Sequence, residues 1–207
     1  MNFLEQVEQI AEVKHFFCEV QGATPLTWNK QLSEEDKAGK KRTPEEVERD
    51  LWRFKLHVRS DLGVFHPADG LIKALIAGAK RWGAGIPSKK GTRYNTQLQG
   101  SVTMVSDFIV LTPDGKRLNR DSPEIKDYPR HVTRKDGQQI FVVTPIIYDW
   151  TGRFAMTVHD PAFSGVVLAT IIKYAGLYNG IGAWWKKYGR FEPTLFEEGG
   201  SDVYTRL

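Results

Sequence analysis

The chain has 207 residues, 41% hydrophobic and 26% charged, a composition that suits one globular domain with an ample core. Its single cysteine, Cys18, excludes a disulfide framework and a cysteine-based zinc site. It points to a reducing compartment, so a cytoplasmic location is expected. Net charge is +4. The first residues, with Glu5, Glu8 and Glu12, do not read as a signal peptide, and no apolar run approaches the roughly eighteen residues of a membrane span.

Lys14 to Val20 reads as a mostly buried strand that Gly22-Ala23-Thr24-Pro25 ends or bends. Asn29 to Arg42 is polar and reads as a loop. Thr43-Pro44-Glu45-Glu46 is a helix start, and the helix is expected to run to about Val58 with Val47, Leu51, Phe54 and Val58 on one stripe. A second helix starts at His66-Pro67-Ala68-Asp69 and ends at the glycines after Trp82, with Leu71, Ile72, Leu75, Ile76 and Ala79 as its apolar face. Lys73 and Lys80 share its opposite face.

Ile86 to Gln97 reads as a basic loop and Ser101 to Leu111 as a strand. Pro113-Asp114-Gly115-Lys116 is a turn. Arg117 to Lys135 reads as irregular. Gln139 to Ile147 is a strand whose far end Pro145 assigns to an edge or bulge. Gly152 to Val158 follows as its hairpin partner. Pro161 to Tyr174 is a third helix, closed by Gly176. A short last strand is expected over 188–192, with a loose tail over 197–207.

The essential order is strand, helix, strand, strand, helix, strand. That is the order of an α+β, ferredoxin-like (RRM-like) domain, with an antiparallel sheet, helices on one face and the other face free to bind. The whole chain, 1–207, reads as one such domain, elaborated by a helical insertion at about 30–60 and an excursion at about 112–138.

Charge is unevenly spread. Gly70 to Ser106 holds six cations (Lys73, Lys80, Arg81, Lys89, Lys90 and Arg93) and no acid; Pro161 to Phe191 holds four and no acid. These windows carry +10 of a chain totalling +4, leaving −6 on the rest. Two acid-free segments suggest one composite basic surface. Within the second lies Asn179-Gly180-Ile181-Gly182-Ala183-Trp184-Trp185-Lys186-Lys187-Tyr188-Gly189-Arg190-Phe191, with three glycines, four aromatics and three cations. Glycines allow close approach of a ligand, aromatics offer stacking faces and cations neutralise phosphates. A tightly turned apolar segment would look similar. Strand alternation would place Trp184 and Trp185 on opposite faces, so one of them is expected in the core.

A helix followed by Gly-x-Gly, basic and aromatic residues and then Gly189-Arg190-Phe191 is similar to the C-terminal glycine-rich loop of RAMP proteins, the ferredoxin-like RNA-binding subunits of CRISPR effector complexes. His66-Pro67-Ala68-Asp69-Gly70-Leu71-Ile72-Lys73-Ala74-Leu75-Ile76 resembles their first helix. The second half also resembles uncharacterised phage-encoded relatives, through Ile146-Ile147-Tyr148-Asp149-Trp150 before the last helix. The resemblance covers roughly residues 64–192. It implies that main-chain N–H groups at Gly180 and Gly182 meet a phosphate, that Lys186, Lys187 and Arg190 hold phosphates, and that Trp184, Trp185 and Tyr188 stack on bases. Lys73, Lys80, Arg81, Lys89, Lys90 and Arg93 form the second phosphate-binding set, and Tyr94 is a further stacking candidate. Self-association into a homo-oligomer or filament along the strand is implied as well.

The histidines show no metal-ligand spacing, and no nucleotide-binding or hydrolase motif is present. The expectation is a single-stranded nucleic-acid-binding protein (RNA or DNA), largely indifferent to sequence, without catalytic residues, metal, cofactor or membrane partner. Two alternatives stay open: a metal-independent endoribonuclease of the same fold, with His57 or His66 as base, and a structural or scaffolding protein.

Overall fold

The computed structural model describes residues 13–33, 36, 43–184 and 187–207. The first elements are β1 (Lys14–Gly22), β2 (Leu26–Thr27), α1 (Pro44–Leu51), β3 (His57–Arg59), β4 (Gly63–His66) and α2 (Ala68–Trp82). Then come α3 (Tyr94–Ser101), β5 (Val102–Met104), β6 (Phe108–Leu111), β7 (Lys126–Thr133) and β8 (Gln139–Ile147). The last are β9 (Thr151–Val158), α4 (Gly165–Tyr174) with a π-helical turn at Ala175–Asn179, β10 (Phe191–Gly199) and a 3-10 turn at Ser201–Arg206.

Period-two alternation along β1 sends Phe16, Cys18 and Val20 to the core. Phe154, Met156 and Val158 of β9 meet them there, beneath Leu71 and Leu75 of α2 and Leu168, Ile171 and Ile172 of α4. The main sheet runs β10–β1–β9–β6–β4–β3, with β5 also on β9, and every pairing is antiparallel. Without the β3–β4 hairpin, the order β10–β1–β9–β6 places the fourth, first, third and second strands of the expected unit side by side. The domain is α+β and ferredoxin-like. A second sheet, β2–β8–β7, stands against α1 and the turn that follows it.

Several expectations change. The first helix ends at Leu51; a 3-10 turn (Trp52–Lys55) follows and Val58 lies in β3. Its start is as expected, a capping box between Thr43 and Glu46. Its end is set by Lys55, which turns inward to pair with Glu48 and to donate to the Val143 carbonyl at 2.9 Å. The presumed loop at 86–97 contains the start of α3, whose Tyr94, Leu98 and Ser101 are buried. The supposedly irregular 117–135 segment contains β7, paired with β8 from Lys126↔Ile146 to Thr133↔Gln139. The end of β8 is no edge: Ile146 faces Lys126 on one side and Thr27 on the other. Pro145 is tolerated there through its carbonyl, which accepts from Trp28 N.

β8 and β9 do not form a hairpin but belong to different sheets. Between them Trp150 is fully buried, its indole N–H donating to the Thr24 carbonyl at 2.8 Å. The last strand starts at Phe191 and is nine residues long, so the expected loose tail begins inside a strand. It then turns back over the sheet face opposite the helices. Tyr204 meets His15 and Thr157, and the Arg206 guanidinium lies 4.4 Å from the Phe17 ring centroid. That face, expected to be free, is therefore partly filled by the chain itself and also carries the Glu19–Arg153 ion pair.

Candidate nucleic-acid interface

The glycine-rich loop is placed by glycines outside it as well as within. A Cβ on Gly78 of α2 would lie 2.6 Å from Ala175 N, and one on Gly176 would lie 2.1 Å from the Phe191 carbonyl oxygen. Only bare backbone lets α2, the π-helical turn and the start of β10 meet so closely. The chain then leaves the turn through Gly180 and Gly182, both at positive φ (72° and 81°). Their freedom is used by the chain's own packing: Gly180 N donates to the Ala175 carbonyl, and a Cβ on Gly182 would lie 2.6 Å from the Thr27 carbonyl oxygen. The expected phosphate contact through Gly180 N–H is thus corrected, because that donor is already bonded.

Residues 25–27 hold the other side of the loop. Ala183 N donates to Thr27 O, the Thr27 hydroxyl donates to Ala183 O, and Gly189 N donates to Pro25 O. Arg190 donates to the Leu177 carbonyl in the middle of the π-helical turn. Its assigned phosphate role gives way to a structural one. Tyr188 is 8% exposed, with its hydroxyl on that of Tyr128, so it is no stacking platform. Tyr94, expected as a stacking residue, is 4% exposed, stacked on Trp82 and edge-on to Phe163. Trp185 and Lys186 lie outside the described residues. Lys187 is exposed.

Trp184 is the tryptophan of the pair that the structure describes. It sits at φ 61°, is 43% exposed, and has the Arg130 guanidinium 3.9 Å from its ring centroid. It forms a ridge between two hollows. One, of about 570 Å³, is bounded by Trp28, Lys30, His57, His66, Asp69 and Trp184. The other, of about 680 Å³, is bounded by Lys30, Lys55, Arg134, Ile140 and Trp184 among others. A third, of about 340 Å³, lies between Lys73 and Ala77 of α2 and residues 179–182, and joins the first through Gly70 and Gly182. The three make one trough from α2, past the glycine loop and Trp184, to Lys30 and Arg134. Among the described residues its acids are Asp69 and Glu48, and Glu48 is already paired with Lys55.

The second basic set does not join this trough as a unit. Lys73 lines it; Lys80 lies roughly 10 Å further along the helix and, with Arg81, belongs to the last turn of α2. Arg81 covers Tyr178 at 4.9 Å, and Lys89 pairs at 2.6 Å with Asp160, an acid just outside the second acid-free window. Lys80, Arg81, Lys89, Lys90 and Arg93 line none of the three hollows. Composition windows missed Lys30, Arg130 and Arg134; Asn179 lies inside the second window, where nothing marked it as a site residue. Lys30 and Arg134 are cations in separate segments, and only the fold brings them to one trough.

His66 is the most unusual group in the site. Its ring stacks on Trp28 (centroids 4.7 Å apart, planes at 10°), and its Nε2 is buried without a partner. Burial first, and then the neighbouring His57, hold its imidazole well below the ordinary value, at about 3. His57 is lowered too, by partial burial and by Lys30. An unfolded histidine titrates near 6.5. Below that pH the unfolded chain takes up a proton that folded His66 refuses until about pH 3. Stability therefore falls as pH falls through this window, by ~1.4 kcal/mol per unit from His66, and above it the group contributes nothing. The melting temperature is expected to drop between pH 7 and pH 5, and His66→Gln is expected to remove most of the drop. An equal drop in the variant would contradict this assignment.

The chain matches no family model and no curated protein. It is similar to a chain in the cryo-EM structure of the Type III-B Cmr-beta bound to cognate target RNA, with a TM-score of 0.52 and 15% identity. The likeness is one of fold. The match covers 94% of this chain but 63% of that one, so the chain spans less than two thirds of the structure it resembles. Cmr6 from Pyrococcus furiosus is a looser likeness, with a TM-score of 0.44, 11% identity and coverage of 87% and 98%. Among the described residues, no group of three or more His, Cys, Asp or Glu side chains could hold a metal ion, and no helix is long and apolar enough to cross a membrane.

Proposed function

We propose that the protein binds single-stranded RNA along the trough, without cleaving it. The observation that carries this reading is the trough itself. It is a continuous depression with Lys73, Lys30 and Arg134 spaced along it and an exposed tryptophan ridge at its middle. Spaced cations suit a phosphate backbone, and an exposed indole suits an unpaired base. A duplex has no free base face to offer Trp184. The fold likeness to a Cmr-beta chain, from a structure bound to cognate target RNA, supports RNA over DNA. Copies of the chain assembling side by side along one strand belong to the same proposal.

The test is a binding assay with single-stranded RNA, single-stranded DNA and duplex at two salt concentrations. Single-stranded RNA is expected to bind tightest, with an affinity that falls steeply with salt. Salt-independent binding, or preference for duplex, would contradict the reading. Specific cleavage in the presence of chelator would replace it with the ribonuclease alternative. Trp184→Ala is expected to weaken binding by about tenfold or more, since stacking one base is worth ~1–3 kcal/mol. No change in affinity would remove Trp184 from the site.

A further inference from the structure

Four buried side-chain nitrogens among the described residues have no partner: His66 Nε2, Asn179 Nδ2, Arg130 Nε and Arg120 Nε. Buried polar groups are nearly always hydrogen-bonded, so such a cluster calls for a partner from outside. Three of the four stand around the trough. His66 lines the hollow beside Trp184, Asn179 lines the hollow beside Lys73, and Arg130 lies on the Trp184 ring. His66 is 7% exposed. The two hollows adjoin at Gly70 and Gly182.

Their chemistry differs. The smaller hollow is lined by Lys73 and by Asn179, whose buried amide nitrogen has no partner within the chain, beside a glycine-lined wall. That set suits an anion of phosphate size. The larger hollow has the exposed ring of Trp184 at one side and the buried, mutually stacked Trp28 and His66 behind its wall, with Asn29, His57 and Asp69 on its lining. That set suits a planar heterocycle with polar edges. Among the described residues Asp69 is its one carboxylate, and a carboxylate only accepts hydrogen bonds.

We infer that the two hollows form a single-nucleotide site, taking one phosphate of the strand on Lys73 and Asn179 and the base of the same nucleotide, unstacked from its neighbours, against Trp184 with Asp69 at its edge. This rests on the RNA-binding reading and sharpens it: at this one position binding depends on which base is present. Bases with an exocyclic amino group are favoured. Cytosine is therefore preferred over uracil, a pyrimidine of the same size with a carbonyl at that edge.

The test measures the affinity of the full chain for (rC)12 and (rU)12 at neutral pH, in wild type, Asp69→Asn and Asn179→Asp. Asp69 is on the surface in the first turn of α2, so its conservative replacement leaves the core untouched. Wild type is expected to favour (rC)12 by about tenfold, the scale of one well-made base contact. Asp69→Asn is expected to bring the two oligomers within about threefold. Asn179→Asp, which puts an acid where a phosphate should sit, is expected to weaken both by about tenfold and keep their ratio. Equal wild-type affinities, or a preference that survives Asp69→Asn, would overturn the base subsite. Unchanged affinity in Asn179→Asp, with its fold verified by circular dichroism, would overturn the phosphate subsite. Failure of both oligomers to bind wild type at all would overturn the RNA-binding reading instead.

Discussion

Replacing Lys30, Lys73 and Arg134 together by alanine is expected to lower the affinity for single-stranded RNA about a hundredfold at 0.1 M salt. The three cations line successive parts of the trough, and each leaves its neighbouring backbone atoms in place when truncated. For single strands each neutralised phosphate contributes about 0.7 to the slope of log affinity against log salt. Three lost contacts should therefore flatten the slope by about two. The same figure gives about fivefold per contact at 0.1 M salt, hence about a hundredfold for three. Fluorescence anisotropy on a labelled oligonucleotide at several salt concentrations measures both numbers. Truncating Lys80, Lys89 and Lys90 as a control should cost far less, since none of them lines the trough. Equal losses from the two triple variants would mean that the protein binds through general charge and that the trough has no special role.

The second large effect concerns stability. Lys55 has a side chain 5% exposed, yet it carries a charge between α1 and β8. Its ammonium pairs with Glu48 and donates to the Val143 carbonyl, while Glu48 accepts from Val143 N at 2.7 Å. Lys55→Ala would leave the Glu48 carboxylate in a half-closed site without its counter-ion. Breaking a buried pair from one side costs about 3–5 kcal/mol. Because Glu48 is 20% exposed, the lower end applies. In a domain of this size about 3 kcal/mol corresponds to a melting temperature lower by about 6–12 °C. The double variant Lys55→Met with Glu48→Gln keeps an acceptor for Val143 N and removes both charges, so it should recover most of the loss. If Lys55→Ala melts with the wild type, the pair does not fasten the second sheet to the first helix.

The framework of the main sheet was legible because its strands and helices carry strong periodic signals. β1 alternates, α2 repeats its apolar residues at helical spacing, and Gly83 at φ 77° ends it as a C-cap glycine should. The second sheet was not legible. β7 carries Pro129 and several charges, as an edge strand does, and Tyr128, Arg130 and Val132 alternate inward with side chains that no hydropathy pattern marks as buried. α3 was hidden because Tyr-Asn-Thr-Gln-Leu-Gln-Gly-Ser has weak helix propensity and no side-chain cap. The glycine-rich loop was found, but glycine content does not reveal what approaches the glycine. At Gly182 it is the chain's own Thr27 carbonyl. His66 reads only as a helix start and a candidate base, and Asn179 only as the start of the glycine-rich segment; their unsatisfied nitrogens gave no signal, because that is a property of surroundings and not of residue type.

The hydrogen bond between Thr27 and Ala183 joins residues 156 positions apart, and the middle of the trough depends on it. The hairpin bearing His57 and His66, the strand at Leu26–Thr27 and the loop at 179–190 must all be present before any groove exists. During synthesis the groove thus cannot form until the loop at 179–190 has been made, whatever helices are already in place. Such distant partners also meet slowly. On the proposed function, affinity for RNA would be among the last properties the molecule acquires, and it should report complete folding more strictly than helix content does.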